Sequence, residues 1–552
     1  MTQRVAILGG GVAGLSAAHE LAERGFVVEV FESRATYGGK ARSMGAPGTG
    51  AGGRRDLPGE HGFRFFPGFY AHLPDTMKRI PFEGKRHGTF DNLVPATQLM
   101  LAKQGQREAT LVARFPTSLR ELYDALKDLL DANIGIPDEE LWFFAERLLV
   151  ILTSCQERRL AEYEKIPWWD FIGAATRSAA YQQYLAEGLT RSLVAMKAEL
   201  GSTRTVGDIL IQLILNIATP GVAGDRVLDG PTSDVWIEPW RAHLVRLGVT
   251  FHPECKVTTL RCVGQRIQSV QVTDAAGVPR EVTSDFFIAA LPVEVMAPLI
   301  TPEMVQADAK LAGISRLTWS WMSGIQFYLH EDVPLVNGHA IYVDTPWALT
   351  TISQRQFWDV DLSGFGDGTV KGVLSVDISD WETPGILYGK RAMDCTRSEI
   401  AEEVWAQLKR SLDVSPVGAG LTDANRAGSH LDPDIQFPNP HGTVNLEPLL
   451  INLADSWRFR PEARTEIKNL LLASDYVRTF TDLATMEGAN EAARRAVNAI
   501  LDAVASRERR CELWPLHEPL IFAPARAIDL VRFNAGLPHG GVAAMLAAAA
   551  VA

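Results

Sequence analysis

Apolar residues crowd the start of the chain. Arg4 to Leu8 is a short aliphatic run, Gly9 to Gly14 a glycine turn, Leu15 to Arg24 a segment with apolar residues at helical spacing, and Val27 to Phe31 a second run. This order predicts a β-α-β unit. After Gly39 the pattern turns irregular, and the glycine-rich stretch between Gly45 and Glu60 reads as a flexible loop able to lie over a ligand. Helical spacing dominates from Phe115 to Pro220, in the segments 119–132, 140–154 and 206–218. Strand signals return at 249–261, 269–274 and 285–292, where the chain is expected to re-enter the first sheet. From Met296 to Leu431, strands (Ser315 to Leu329, Thr369 to Ile378) mix with a helix (Ser398 to Leu412) in a second lobe. Ile467 to Ala473 reads as a buried strand and Met486 to Ala505 as a long helix, and the tail from Arg509 to Ala552 ends in an Ala-rich helix-like segment.

The expected fold class is α/β. A discontinuous Rossmann-like domain is built from 1–85, 225–295 and 440–508, interrupted by a helical insert at 86–224 and a mixed α+β substrate domain at 296–439, with a C-terminal extension at 509–552. With 552 residues the chain is too long for one core, and 46% hydrophobic against 22% charged residues is the balance of a globular protein. A net charge of −12 without a basic tract argues against a nucleic-acid partner. The five cysteines are scattered, with no CxxC pair and no ligand spacing for a metal, and read as free thiols of a reducing compartment. The apolar amino terminus lacks a basic n-region, and no apolar run reaches spanning length, so the expected location is cytoplasmic.

The glycine turn has the form Gly9-x-Gly11-x-x-Gly14 between strand and helix. Gly9 permits the turn, Gly11 lets the backbone approach a pyrophosphate, and Gly14 allows close helix packing. Glu32, at the end of the second strand, is placed to accept both ribose hydroxyls and to repel a 2′-phosphate. Beyond it comes Tyr37-Gly38-Gly39-Lys40-Ala41-Arg42. With this extension the sequence resembles the flavin-containing amine oxidase and phytoene desaturase superfamily. The resemblance implies that the Rossmann-like domain binds FAD, with Gly39, Lys40 and Arg42 beside the diphosphate. Glu60-His61-Gly62-Phe63-Arg64-Phe65-Phe66 is similar to a segment of plant and cyanobacterial carotene desaturases, which puts Gly62 alongside the isoalloxazine ring. The closing strand, turn and helix at 467–505 match as well, with Ser474 in place of the usual glycine. That match implies Asp475 on a ribityl hydroxyl and the helix start at Met486 aimed at the flavin N1–C2 edge. Val257 corresponds to the hydrophobic residue at the adenine edge.

The resemblance implies that the flavin accepts the hydride, and consistent with that there is no GxSxG elbow and no HExxH motif, while the lack of a second strand-linked GxGxxG argues against a separate NAD(P)H-binding domain. The flavin's electrons would pass to oxygen, a quinone or a redox protein, or return in an isomerisation. The desaturase-like segments imply a desaturase, isomerase or dehydroxylase of an isoprenoid, carotenoid-like or other long apolar substrate. The apolar helices around Phe144 and Ile151 and from Ile209 to Ile217 either border a tunnel, touch a membrane surface peripherally, or are core. Two other readings stay open. An amine or amino-acid oxidase would need an aromatic cage, for which Trp319, Trp321 and Trp358 are candidates, and a lysine near the ring, for which Lys371 is a poor one. A prenyl-binding escort protein of the same fold would have dispensed with the cofactor. If an acid or base is required, His61 and Arg64 are the candidates.

Overall fold

The computed structural model describes residues 3–111, 135–188, 190–191, 196–218, 224–438, 442–544 and 547. The helix expected at 119–132 lies outside them. The opening β-α-β unit consists of β1 (Arg4–Leu8), α1 (Val12–Ala22) and β2 (Val27–Phe31). With β3 (Thr250–His252), β4 (Phe286–Ala289) and β5 (Leu470–Leu472) they form a five-stranded parallel sheet, in the order β3-β2-β1-β4-β5. A parallel sheet is covered on both faces, which is why β4 and β5 are buried throughout and carry continuous apolar runs. The helix α4 (Met486–Ala503) packs on α1. Small residues, Ala17 and Ala18 facing Ala492, Ala493 and Ala496 in one core, keep that layer thin, and Asn490 Nδ2 donates to Ser16 Oγ at 2.8 Å.

The second lobe is a seven-stranded sheet. Its strands run in the order 426–431, 323–329, 372–378, 349–353, 338–342, 98–102, 109–111. Along Ser323–Leu329 the side chains alternate as the pleat requires. Ile325, Phe327 and Leu329 join the core under the helix Arg397–Ser411, while Gly324, Gln326 and Tyr328 face the segment 58–66.

Three expectations are corrected. The insert at 86–224 is not uniformly helical: Leu93–Pro95 pairs with Arg226–Leu228, and Gln98–Ala102 and Ala109–Leu111 extend the second sheet. The strand expected from Ser315 to Leu329 is two, because Thr318–Ser320 pairs with Leu449–Ile451 and only Ser323–Leu329 enters the large sheet. The loop between Gly45 and Glu60 is anchored at both ends by pairing of Ser43–Gly45 with Pro58–Glu60, and its Ala51 N–H donates to Gly366 O at 3.0 Å.

The apolar insert helices α2 (Asp138–Thr153) and α3 (Thr203–Ala218) build a core of their own, in which Phe144, Leu148, Ile151 and Ile209 are buried. Against α2 packs α5 (Ala523–Asn534) from the tail, whose buried Asp529 pairs with the equally buried Arg158 at 3.0 Å. Among the described residues no helix is long and apolar enough to cross a membrane.

Candidate functional site

The glycine turn is tight because the sheet crowds it. Gly9 has φ +106°, and a Cβ there would lie 2.4 Å from Ala290 O; one on Gly14 would lie 2.0 Å from Gly9 O. A Cβ on Gly11 would make only ordinary contact, with Gly39 Cα at 3.6 Å, and Gly11 itself lines the cavity. The second glycine turn folds back onto the first, with Gly38 N–H donating to Gly10 O at 2.9 Å. Glu32 is locked across this junction. Its Oε2 accepts from Gly10 N–H at 2.7 Å, and its Oε1 from Arg34 N–H at 2.9 Å and Ser33 Oγ at 3.0 Å.

These groups line a cavity of about 470 Å³, within the range of cofactor and substrate sites. Gly9, Gly11, Glu32, Gly39, Lys40 and Val257 are on its wall. An open glycine turn at a helix start, with a carboxylate at the end of the neighbouring strand, fits a dinucleotide. Lys40 Nζ donates to Glu294 at 2.7 Å and to Pro448 O. Two expected contacts are not on the wall. Gly14 acts only through packing, and Arg42 is turned away: its guanidinium donates to Gly39 O and both Glu447 oxygens (2.7, 2.9 and 3.0 Å) and pairs with Asp434.

Ser474, Asp475, Thr485 and Met486 line the same cavity. Ser474 is not in the left-handed region, so that turn does not require the missing glycine. Thr485 caps α4, its Oγ1 accepting from Gly488 N–H at 3.0 Å. Glu487 points away, where its carboxylate accepts from the N–H groups of Ala71, His72 and Leu73 (2.8, 2.7 and 2.9 Å) at the start of the helix His72–Lys78. The segment 61–65 also lines the cavity. It lies against the second sheet because Gly62 meets Gly324: a Cβ on Gly324 would be 2.7 Å from Gly62 Cα, and Gly324 N–H donates to His61 O at 2.7 Å.

His61 Nδ1 is hydrogen-bonded to buried Asp432, and its Nε2 has no partner. His61, Asp432 and Glu447 come within 4.8 Å of one another, a set of metal-ligand type, but the Arg42 guanidinium on Glu447 supplies the balancing positive charge. Burial works to raise the Glu447 carboxyl; Arg42, His61 and Arg34 outweigh it and hold that carboxyl below its usual range. Arg64 lines the inner chamber with Asp377, His339, Thr350 and Ser379. Burial pushes Asp377 up to about 6 against the opposing pull of Arg64, and Glu60 up to about 7. Burial likewise pulls His339 down to about 4, which keeps that ring neutral. These sheet residues were not singled out by sequence reasoning. Their signal was a polar residue interrupting an apolar strand, as Asp377 does in Gly372–Ile378.

The residues considered for an amine cage are elsewhere. Trp358 is buried in the core behind Phe63, Trp321 stacks edge-on with Trp381, and Trp319 is exposed; none lines the cavity. Lys371 is on the surface, paired with Glu331. The lysines on the wall are Lys40 and Lys256.

Comparison with known proteins agrees with this architecture. The family described as flavin containing amine oxidoreductase matches residues 12–501. A probable zeta-carotene desaturase of Synechococcus elongatus is 25% identical over 528 residues, covering 91% of this chain and 99% of the relative. Among solved structures, cyclohexylamine oxidase from Brevibacterium oxydans superposes with a TM-score of 0.62 at 13% identity, over 92% of this chain and 100% of the other. A putative protoporphyrinogen oxidase from Exiguobacterium gives 0.56 at 14% identity, over 92% and 100%. At such identities the structural matches speak for the fold.

Proposed function

The chain belongs to the family of flavin-containing amine oxidoreductases, and from that premise we propose that it is a FAD-dependent desaturase, isomerase or dehydroxylase of a long apolar substrate of isoprenoid type. The observation that carries the reading is that one cavity joins the first glycine turn and Glu32 to the start of α4 and to the His61–Phe65 segment. Gly11 and the start of α1 would hold the diphosphate, Glu32 the ribose, Val257 the adenine edge, and Asp475 the ribityl chain. FAD would supply the hydride acceptor there. The chain's own part is to bind, orient and keep water out, with Phe63, Phe65, Tyr70 and Met322 as the apolar wall where substrate would approach. His61, oriented by Asp432 through Nδ1, presents Nε2 as the atom able to take or return a proton. The likeness to a probable carotene desaturase over most of the chain supports an apolar substrate, and the absence of Trp319, Trp321 and Trp358 from the wall weakens the amine reading. Oxygen, a quinone or a redox protein would then accept the electrons.

The test is anaerobic bleaching of the flavin band. Polyene precursors are expected to reduce the bound flavin, and oxygen or a quinone to restore it. Reduction by small amines alone would overturn the reading, and protein that never binds flavin would favour a lipid escort instead.

A further inference from the structure

The inner chamber holds polar groups that a hydrocarbon cannot satisfy. Arg64 Nε and Nη2 are buried and without a hydrogen-bond partner. The closest carboxylate, Glu60, is 3.8 Å from Nε and already accepts from Thr232 N–H and Oγ1 (3.0 and 2.9 Å). Asp377, against the same 62–64 segment, accepts, among the described residues, only the long bond from Phe63 N–H at 3.3 Å. Arg64 is close enough to act on the Asp377 charge, the two are not within ion-pair distance, and both line the same cavity. Thr350 stands directly opposite Asp377 on the adjacent strand and on the same sheet face.

We propose that Arg64 and Asp377 recognise a hydroxyl group, and therefore that the substrate is an apolar chain carrying an alcohol. The inference rests on the reading above and names the polar group that such a chain bears. A single hydroxyl oxygen accepts from the guanidinium while its hydrogen goes to the carboxylate, which satisfies both sides. An ammonium satisfies Asp377 but is repelled by Arg64 and leaves its donors unmatched. A carboxylate meets the mirror-image conflict at Asp377. A pure hydrocarbon displaces water from both groups and gives nothing back, the arrangement that selects most strongly against an analogue lacking a hydroxyl. His339 adds no charge, because burial keeps it neutral.

The experiment titrates the flavin-loaded full chain, without oxygen, with geranylgeraniol, the hydrocarbon of the same skeleton, geranylgeranylamine and geranylgeranoic acid, reading the shift of the flavin absorbance. The alcohol is expected to bind about tenfold or more tighter than each of the others. Asp377→Leu is expected to reduce the preference over the hydrocarbon to about twofold, whereas Asp377→Asn, which keeps an acceptor oxygen, retains most of it. Arg64→Leu is expected to act like Asp377→Leu; if it loses flavin, the two Asp377 variants decide. Equal binding of alcohol and hydrocarbon, or a preference that survives Asp377→Leu, overturns the proposal and leaves the parent reading standing. No response to any of the four, with small amines reducing the flavin, overturns both.

Discussion

Glu60 accepts two hydrogen bonds from Thr232 and lies near Arg64, yet burial outweighs them and lifts its carboxyl from 4.5 to about 7. The proton is thus held more tightly in the folded chain than in the unfolded one. The resulting stability is fully present below pH 4.5 and is lost as the pH rises through about 7, a change of about 3 kcal/mol. Chemical denaturation at a series of pH values is expected to show this fall in the parent and a shallower one in Glu60→Gln. At Gly9 the constraint is steric: an alanine would combine a left-handed φ with a Cβ 2.4 Å from Ala290 O. Gly9→Ala is expected to cost at least about 2 kcal/mol and to abolish flavin retention, checked by denaturation and by absorbance of the purified protein. Gly9 and Glu32 could be read in the sequence because the turn motif fixes their surroundings locally. Arg42 could not: its partners Glu447 and Asp434 are some four hundred residues away, and only folding reveals that they draw it off the wall.

Among elements, the helix His72–Lys78 begins on an Ala71 that offers no side-chain cap, and Glu487 from α4 accepts three of its N–H groups instead. Glu487→Ala is expected to destabilise the protein by about 3 kcal/mol, measured by urea denaturation, since it strips a buried helix start of its charged acceptor. The tail helix α5 is tied down in a similar way. Asp529→Ala leaves Arg158 buried without its main counter-charge, with an expected cost of about 3–5 kcal/mol and early proteolysis of the tail. Periodicity revealed α1, α2, α3 and α4, all long and apolar enough to show one. It failed for Leu93–Pro95 and Gln98–Ala102, which are strands only because Arg226–Leu228 and Gly338–Tyr342 supply their hydrogen-bond partners.

At the scale of the whole molecule, a ligand that binds only the folded state adds to stability by mass action. FAD at about a hundred times its dissociation constant is expected to stabilise the parent by about 2.7 kcal/mol, seen as a higher melting temperature, and to have little effect on Glu32→Ala. The glycine turns and Glu32 on the cavity wall were legible because their motifs are short and contiguous. The inner chamber was not, because Asp377, Thr350 and His339 come together only through the pairing of three strands of the second sheet.

That cavity draws its wall from residues as far apart as Gly9 and Ala489. While the chain is still emerging from a ribosome, the opening β-α-β unit is present long before the last pieces that enclose the ligand. Pigment uptake must therefore follow translation past Ala489, and any product cut short ahead of Met486 should accumulate colourless.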